Sequence, residues 1–551
     1  MSLISIQNLT FSYPNEATDV FKDVNLNIDT SWKLGLVGRN GRGKTTLLNL
    51  LMGKYEYSGR INVPLNIQYF PFEVTDKGNL ALFAIQEIFP DIEEWRVKKE
   101  CNLLELKEDS LYLPFSSLSF GERTKLMLAA LFSLDDTFLL IDEPTNHLDI
   151  HGRGILASYL NSKSGFILVS HDRWVLDKCV DHIISINKED ISVSKGNFST
   201  WEQQKTKVDQ LNIANDEKLR KDIGRLTNST RRASSWSDKT EKSKLHAPDR
   251  GFMGHKAAKM MSKAKNIEDR RNKALEDKKG LLNNIETTEK LQMFPLEYSK
   301  SNISYAHNLQ IKYGDKTIFA LLNFEINNGD RIALVGNNGS GKSSILKLIL
   351  HRAINNNAVI NNIDFDILKD EYKLNNSAQF ADYNFGIDKI DTSQSNKKNT
   401  DYIKEDLTDE LNVLKKQMNY NGDFSVSGGL KIAYLSQNTK FLIGNMEEYI
   451  EKLGIEKSLF YTVLSGMYFE EKDFNKNMED LSEGQRKKVA LASNLCQKAH
   501  LYIWDEPLNY IDILSRKQIE DLILTSKPTI IFVEHDKEFI EIVSNKIVEI
   551  K

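Results

Sequence analysis

Two lysines, Lys44 and Lys342, sit at the same place in two glycine-rich runs, Gly38-Arg-Asn40-Gly41-Arg-Gly43-Lys44-Thr45 and Gly336-Asn-Asn338-Gly339-Ser-Gly341-Lys342-Ser343. The G-x-x-x-x-G-K-[ST] spacing suits a loop that wraps phosphate. Successive backbone N–H groups and a following helix N-terminus make a cationic nest, and glycine lets the backbone approach the oxygens. The lysine reaches the terminal phosphates, while the Thr45 or Ser343 hydroxyl helps hold Mg²⁺. Thr46 and Ser344, next in line, open the helical runs Thr46-Leu-Leu-Asn-Leu-Leu51 and Ser344-Ile-Leu-Lys-Leu-Ile349.

A second pair of chemistry-bearing runs ends in carboxylates. Phe138-Leu-Leu-Ile-Asp142-Glu143 and Leu501-Tyr-Ile-Trp-Asp505-Glu506 read as buried strands closing on two acids. Asp142 and Asp505 are the expected Mg²⁺ ligands, directly or through water. Glu143 and Glu506 are the expected groups that polarise the water attacking a γ-phosphate. Two further apolar runs end at His171 and His535, placed to contact that phosphate. Tyr13 and Tyr313 precede the two loop lysines by 31 and 29 residues; each could stack on adenine or pack as a strand aromatic in the core.

These parts repeat in order, so the chain is read as α/β, with two similar halves that each build a sheet flanked by helices. Leu118-Ser119-Phe-Gly121-Glu122 and Leu481-Ser482-Glu-Gly484-Gln485 each open a helix. Lys342 follows Lys44 by 298 residues, but Glu506 follows Glu143 by 363 and Tyr434 follows Tyr69 by 365. The second half therefore carries about 67 extra residues between Lys342 and Tyr434, matching an Asn-rich stretch over about 355–422 that reads as a surface excursion. The expected divisions are 1–199 with a short arm over 73–117, a helical linker over 200–295, and 296–551.

The linker has the composition of two long helices, interrupted at 245–254 by one Pro and two Gly. Forty helical residues would span about 60 Å. The net charge of −4 conceals an asymmetry: residues 220–275 hold 16 Lys/Arg against 6 Asp/Glu, a local +10 that leaves about −14 elsewhere. Such a stretch suits a phosphate-lined cavity. At its tip, Leu245, His246, Arg250, Phe252 and Met253 could stack or wedge against unpaired bases. The three cysteines match no metal spacing and suit a reducing cytoplasm. No secretion signal and no run of 18 apolar residues is found.

The two sets (phosphate loop, LSFGE or LSEGQ, IDEPTNHLD or WDEPLNYID, terminal His) resemble ATP-binding-cassette domains, and two cassettes joined by a basic hairpin resemble the ABC-F family. The Leu508-Asn509-Tyr510-Ile511-Asp512 variant and the short arm look most like its Vga/Lsa-type antibiotic-resistance members. The resemblance implies a monomer whose cassettes close head to tail over two ATPs with Mg²⁺. Lys44, Asp142, Glu143 and His171 would work with Ser482 and Gly484; Lys342, Asp505, Glu506 and His535 would work with Ser119 and Gly121. It further implies binding in the E site of the 70S ribosome, with the tip against 23S rRNA or the P-site tRNA. A bound lincosamide, pleuromutilin or streptogramin A would be displaced from the peptidyl-transferase centre.

Three departures stand out. Phe72 occupies the place where Gln437, an expected metal contact, stands in the second half; Glu122 replaces a signature glutamine; and Glu483 replaces a glycine. Competing expectations are a housekeeping factor for stalled ribosomes, a transporter's ATPase subunit and a DNA-repair ATPase. The basic hairpin argues against the transporter, and the lack of cysteine pairs argues against the repair enzyme's zinc modules.

Overall fold

The computed structural model describes residues 2–14, 19–146, 148–187, 190–211, 291–313, 316–319, 321–361 and 418–550, with isolated positions between 221 and 273. By packing, the chain separates into two units. One holds Met1–Leu103, Leu126–Pro144 and Ala157–Thr288; the other holds Leu104–Lys125, Thr145–Leu156 and Glu289–Lys551. Thus two short segments of the first half, one with Ser119 and Gly121 and one with Asp149, belong to the second unit.

The first unit is built on a six-stranded sheet in the order Asn66–Phe70, Thr137–Asp142, Phe166–Val169, Lys33–Gly38, His182–Ile186, Ile191–Lys195. All neighbours run parallel except the last pair. Its central strands are continuous apolar runs because both faces are covered. A smaller antiparallel sheet places Leu3–Phe11 between Phe21–Asp29 and Ser58–Asn62. Ile4, Ile6 and Leu26 of the small sheet share one core with Leu34, Leu36, Ile167 and Ile184 of the large one. The helix Lys44–Leu51 adds Leu47, Leu48 and Leu50 to that core. Each such side chain contributes about 1.5–3 kcal/mol, so the phosphate loop is anchored by its own helix.

The second unit repeats this plan. Its large sheet, parallel throughout, runs Val359–Asn361, Lys431–Leu435, Leu501–Asp505, Ile530–Val533, Arg331–Gly336, Lys546–Ile550. In its antiparallel sheet Asn302–Tyr313 pairs with Leu322–Asn327 and Met418–Val426. Both ends of the Asn-rich stretch are therefore strand, not surface excursion: residues 359–361 and 418–422 find ladder partners that local composition does not reveal. Residues 362–417 lie outside the described residues. So do most of the linker and all five tip positions from Leu245 to Met253, while residues 198–211 are helical and begin on a Phe198–Trp201 ring contact at 5.4 Å. Cys101, Cys179 and Cys496 are free and buried, as expected of idle thiols.

The repeat extends to a backbone irregularity. Asn8 and Asn308 take left-handed φ values of 49° and 53°, each at a register shift of its strand. Their N–H groups donate to Asn25 Oδ1 at 2.9 Å and Asn323 Oδ1 at 2.6 Å. Opposite them stand Gly59 and Gly422, where an added Cβ would lie 2.4 Å from the Asn8 or Asn308 carbonyl oxygen. Both glycines also have φ above +100°. Gly59→Ala and Gly422→Ala should each destabilise their unit by about 1–3 kcal/mol through a backbone clash that cannot relax cheaply. Urea denaturation of the single variants checks this; unchanged midpoints for both would contradict it.

Candidate active sites

Parallel strands deliver their carboxyl ends to one sheet edge, where ligands of such sheets bind. In the first unit the acid strand, the His171 strand and the loop strand lie side by side there, with Asp142 in register with Val169 and Val169 with Leu36. Lys44 is buried, and its Nζ donates to Gly38 O at 2.8 Å, Arg39 O at 3.2 Å and Asn40 Oδ1 at 3.2 Å. The ammonium is thus held over its own loop, and Gly43, at φ 90°, turns the chain into the helix. Thr45 Oγ1 donates to Asp142 Oδ2 at 3.3 Å. A hydroxyl and a carboxylate side by side are hard oxygen donors of the kind Mg²⁺ takes, leaving its other positions to phosphate and water.

Asp142 has another partner that the motifs did not reveal: Tyr69 OH donates to the same Oδ2 at 2.9 Å. Burial pushes the Asp142 carboxyl above its usual range, while the Tyr69 hydrogen bond, Lys44 and Thr45 pull against it. Burial and the neighbouring Asp142 charge push the Tyr69 phenol up in turn. Glu143 takes a left-handed φ of 51°, an uncommon conformation for a non-glycine residue. Its N–H donates to Val169 O at 2.9 Å, and its Oε1 lies 3.3 Å from His171 Nε2.

The second unit repeats the arrangement. Lys342 Nζ donates to Gly336 O at 2.8 Å and Asn337 O at 2.9 Å, and Ser343 Oγ donates to Asp505 Oδ1 at 3.2 Å. Glu506 has φ 47°, and its N–H reaches Val533 O at 3.0 Å. His535 Nε2 lies 3.6 Å from Glu506 Oε1. Here the two sites diverge. Gln437 Nε2 donates to Glu506 Oε2 at 2.7 Å, and Asn509 Nδ2 donates to the same oxygen. Gln437, expected beside the metal-binding acid, thus sits on the neighbouring glutamate. Phe72 instead packs edge-on against Phe89 at 5.1 Å.

The electrostatics of the second site follow from burial. Desolvation, then the Glu506 charge, push Asp505 up to about 6. Burial alone would raise Glu506 too, but His535, Asn509 and Lys487 carry it down to about 2. Lys487, itself buried, is pushed down to about 8 by desolvation against the attraction of Asp505 and Glu506. Burial thus dominates at the aspartate and raises it, while the neighbours of the glutamate outweigh burial and lower it.

Tyr13, expected on adenine, donates or accepts a hydrogen bond with Thr46 Oγ1 at 2.8 Å and packs edge-on to Phe11 and Tyr55. The side chain of Tyr313 is not among the described groups. Ser119 and Ser482 start their helices alike. Glu122 Oε2 accepts from Ser119 N at 2.9 Å and Oγ at 2.7 Å; Gln485 Oε1 accepts from Ser482 N at 2.9 Å. Glu122 thus performs the glutamine's capping role, and the Ser119 hydroxyl holds its carboxyl below the usual range. Asp149, given no role by its motif, accepts from Asn338 N at 3.1 Å within the second unit. Burial would raise its carboxyl, but the Gly152 and Asn338 N–H groups and the charges of His535 and Lys342 lower it. The first half thereby contributes a side chain to the second phosphate loop; only proximity in the fold, not spacing, could reveal it.

The chain matches the ABC transporter family over residues 21–146 and 319–509. It is 25% identical to the ribosome protection protein VmlR of Bacillus subtilis (strain 168), covering 98% of this chain and 86% of that one. It is 27% identical to the erythromycin resistance ATP-binding protein MsrA of Staphylococcus epidermidis, covering 95% and 93%. Among solved structures it resembles the archaeal ribosome recycling factor aABCE1, crystallised with the stalk protein aP1, at a TM-score of 0.58 and 17% identity over 98% of this chain and 87% of that one. With two phosphate loops, two strand-ending acid pairs and two capped signature helices in one fold, the chain belongs to the ABC transporter family as a twin-cassette ATPase of the ABC-F type.

Proposed function

We propose that this ATPase is a ribosome-protection factor that occupies the E site and, through its linker tip, displaces antibiotics from the peptidyl-transferase centre. The observation that carries the reading is similarity to a ribosome protection protein along 98% of this chain, linker included. The ten-charge excess over residues 220–275 supports it, since an RNA-walled cavity attracts such a stretch. Among the described residues no helix is long and apolar enough to cross a membrane. Lincosamides, pleuromutilins and streptogramin A are the drug classes proposed, and the cytoplasm is the proposed compartment.

In this mechanism Lys44 and Lys342 hold the terminal phosphates, and Tyr13 and Tyr313 border the adenine. Thr45 with Asp142 and Ser343 with Asp505 would hold Mg²⁺, which would supply positive charge to neutralise the phosphates. Glu143 and Glu506 orient the attacking water and draw on its proton, and His171 and His535 respond to the γ-phosphate. Ser119 and Gly121 complete the second site, Ser482 and Gly484 the first. ATP closes the cassettes on the ribosome; hydrolysis opens them.

Glu143→Gln with Glu506→Gln should keep ATP binding but cut hydrolysis by about a hundredfold or more, leaving the protein on ribosomes in sedimentation with ATP. Release as ready as wild type would defeat the clamp mechanism. Singly, Glu506→Gln should remove the larger share of turnover, because a glutamine amide donates to Glu506 while Phe72 stands at the matching place of the first half; equal losses would count against unequal sites. Replacing residues 245–253 by a short Gly/Ser turn should abolish drug protection in a susceptibility panel while basal ATPase activity stays near normal. Protection that survives the replacement would point instead to a tip without a role.

A further inference from the structure

The second site contains two buried ions for which the first has hydroxyl residues. Lys487, 1% exposed, lies on the signature helix Glu483–Leu495. Its Nζ donates to Ser436 O at 3.1 Å and lies 3.5 Å from Gln437 O. Glu534, 2% exposed, precedes His535. Its Oε1 accepts from His535 N at 2.7 Å and its Oε2 from Leu508 N at 3.1 Å. Counting by the repeat, with Arg486 on Arg123 and His535 on His171, the first half has Thr124 and Ser170 at these places.

The geometry is that of a frame around Glu506. Lys487 grips the backbone leading into Gln437, whose amide donates to Glu506. Glu534 grips the backbone on the other side, at Leu508 and at His535, whose ring faces Glu506. The Lys487 ammonium is attracted by Asp505, Glu506 and Glu534, with Glu483 farther along its own helix. Replacing Thr by Lys and Ser by Glu adds one positive and one negative charge, so the buried site gains no net charge. Removing one of them alone would change the buried site's net charge by one, which costs more than removing both.

We propose that Lys487 and Glu534 are a coupled pair of positioning residues, specific to the second site, that hold Gln437 and His535 against Glu506. This rests on the reading of Glu506 as the water-orienting acid. Lys487→Thr and Glu534→Ser bring in the first half's own residues, so both side chains are known to suit this fold. ATPase kinetics of both singles and the double, in the wild-type chain and in Glu143→Gln, provide the test, with melting curves alongside.

In the Glu143→Gln chain each single should lower kcat by about tenfold or more with KM for ATP within about threefold; in the wild-type chain the loss should not exceed that of Glu506→Gln. The double should lose no more kcat than the worse single, because residues that act as one unit are non-additive. Lys487→Arg, which keeps the charge on a bulkier head, should lose less kcat than Lys487→Thr. The proposal is overturned if the singles leave kcat unchanged, if the double loses the product of both effects, or if activity falls only in step with the folded fraction. Glu506→Gln serves as the control. Should it still hydrolyse ATP in the Glu143→Gln chain, the parent reading fails; should it alone lose activity while the Lys487 and Glu534 variants do not, only the coupled pair fails.

Discussion

The register of three neighbouring parallel strands is the constraint on which both sites depend. Asp142 is aligned with Val169 and Val169 with Leu36; Asp505 is aligned with Val533 and Val533 with Leu334. From that common line each chain runs on a few residues to the glutamate, the histidine and the phosphate loop. A slip of one residue in any strand would turn its side chains to the opposite face. The apolar runs that fill these strands are therefore what aims the polar groups beyond their ends.

Much of this was legible because the chain states it twice. Lysine, acid pair, terminal histidine and helix-opening serine recur in order, and two copies of one arrangement are stronger than either motif alone. Residue spacing also located where the second half is longer. The ends of that stretch were misread because strand pairing is a long-range property: nothing local in Met418-Asn-Tyr420-Asn-Gly422 announces its partner, Asn302–Tyr313. The same limit hid Tyr69 on Asp142 and Asp149 at the second phosphate loop, each joined to its partner across long sequence separations. Lys487 was invisible for another reason. In a helix whose first turns carry Arg-Lys-Lys, charge pattern alone suggests a solvated face, and only the packed fold turns both lysines inward.

The two sites share a skeleton and differ in what steadies it. The first has a phenol at its aspartate and packs its Phe72 against Phe89. The second surrounds its glutamate with two amides, an imidazole and a buried ammonium. The two cassettes are alike but not identical, and the differences lie in side chains a few positions from the shared motifs.

The short strand Val359–Asn361 extends this contrast to the backbone. It lies outside Lys431–Leu435, so the segment feeding Gln437 has ladder bonds on both flanks. Its counterpart Asn66–Phe70, which feeds Phe72, is a border strand among the described residues, bonded on one flank only. A border strand can tilt or shear while breaking half as many bonds as an enclosed one. Among the described residues, the strand that feeds Phe72 is therefore tied into its sheet by fewer ladder bonds than the one that feeds Gln437.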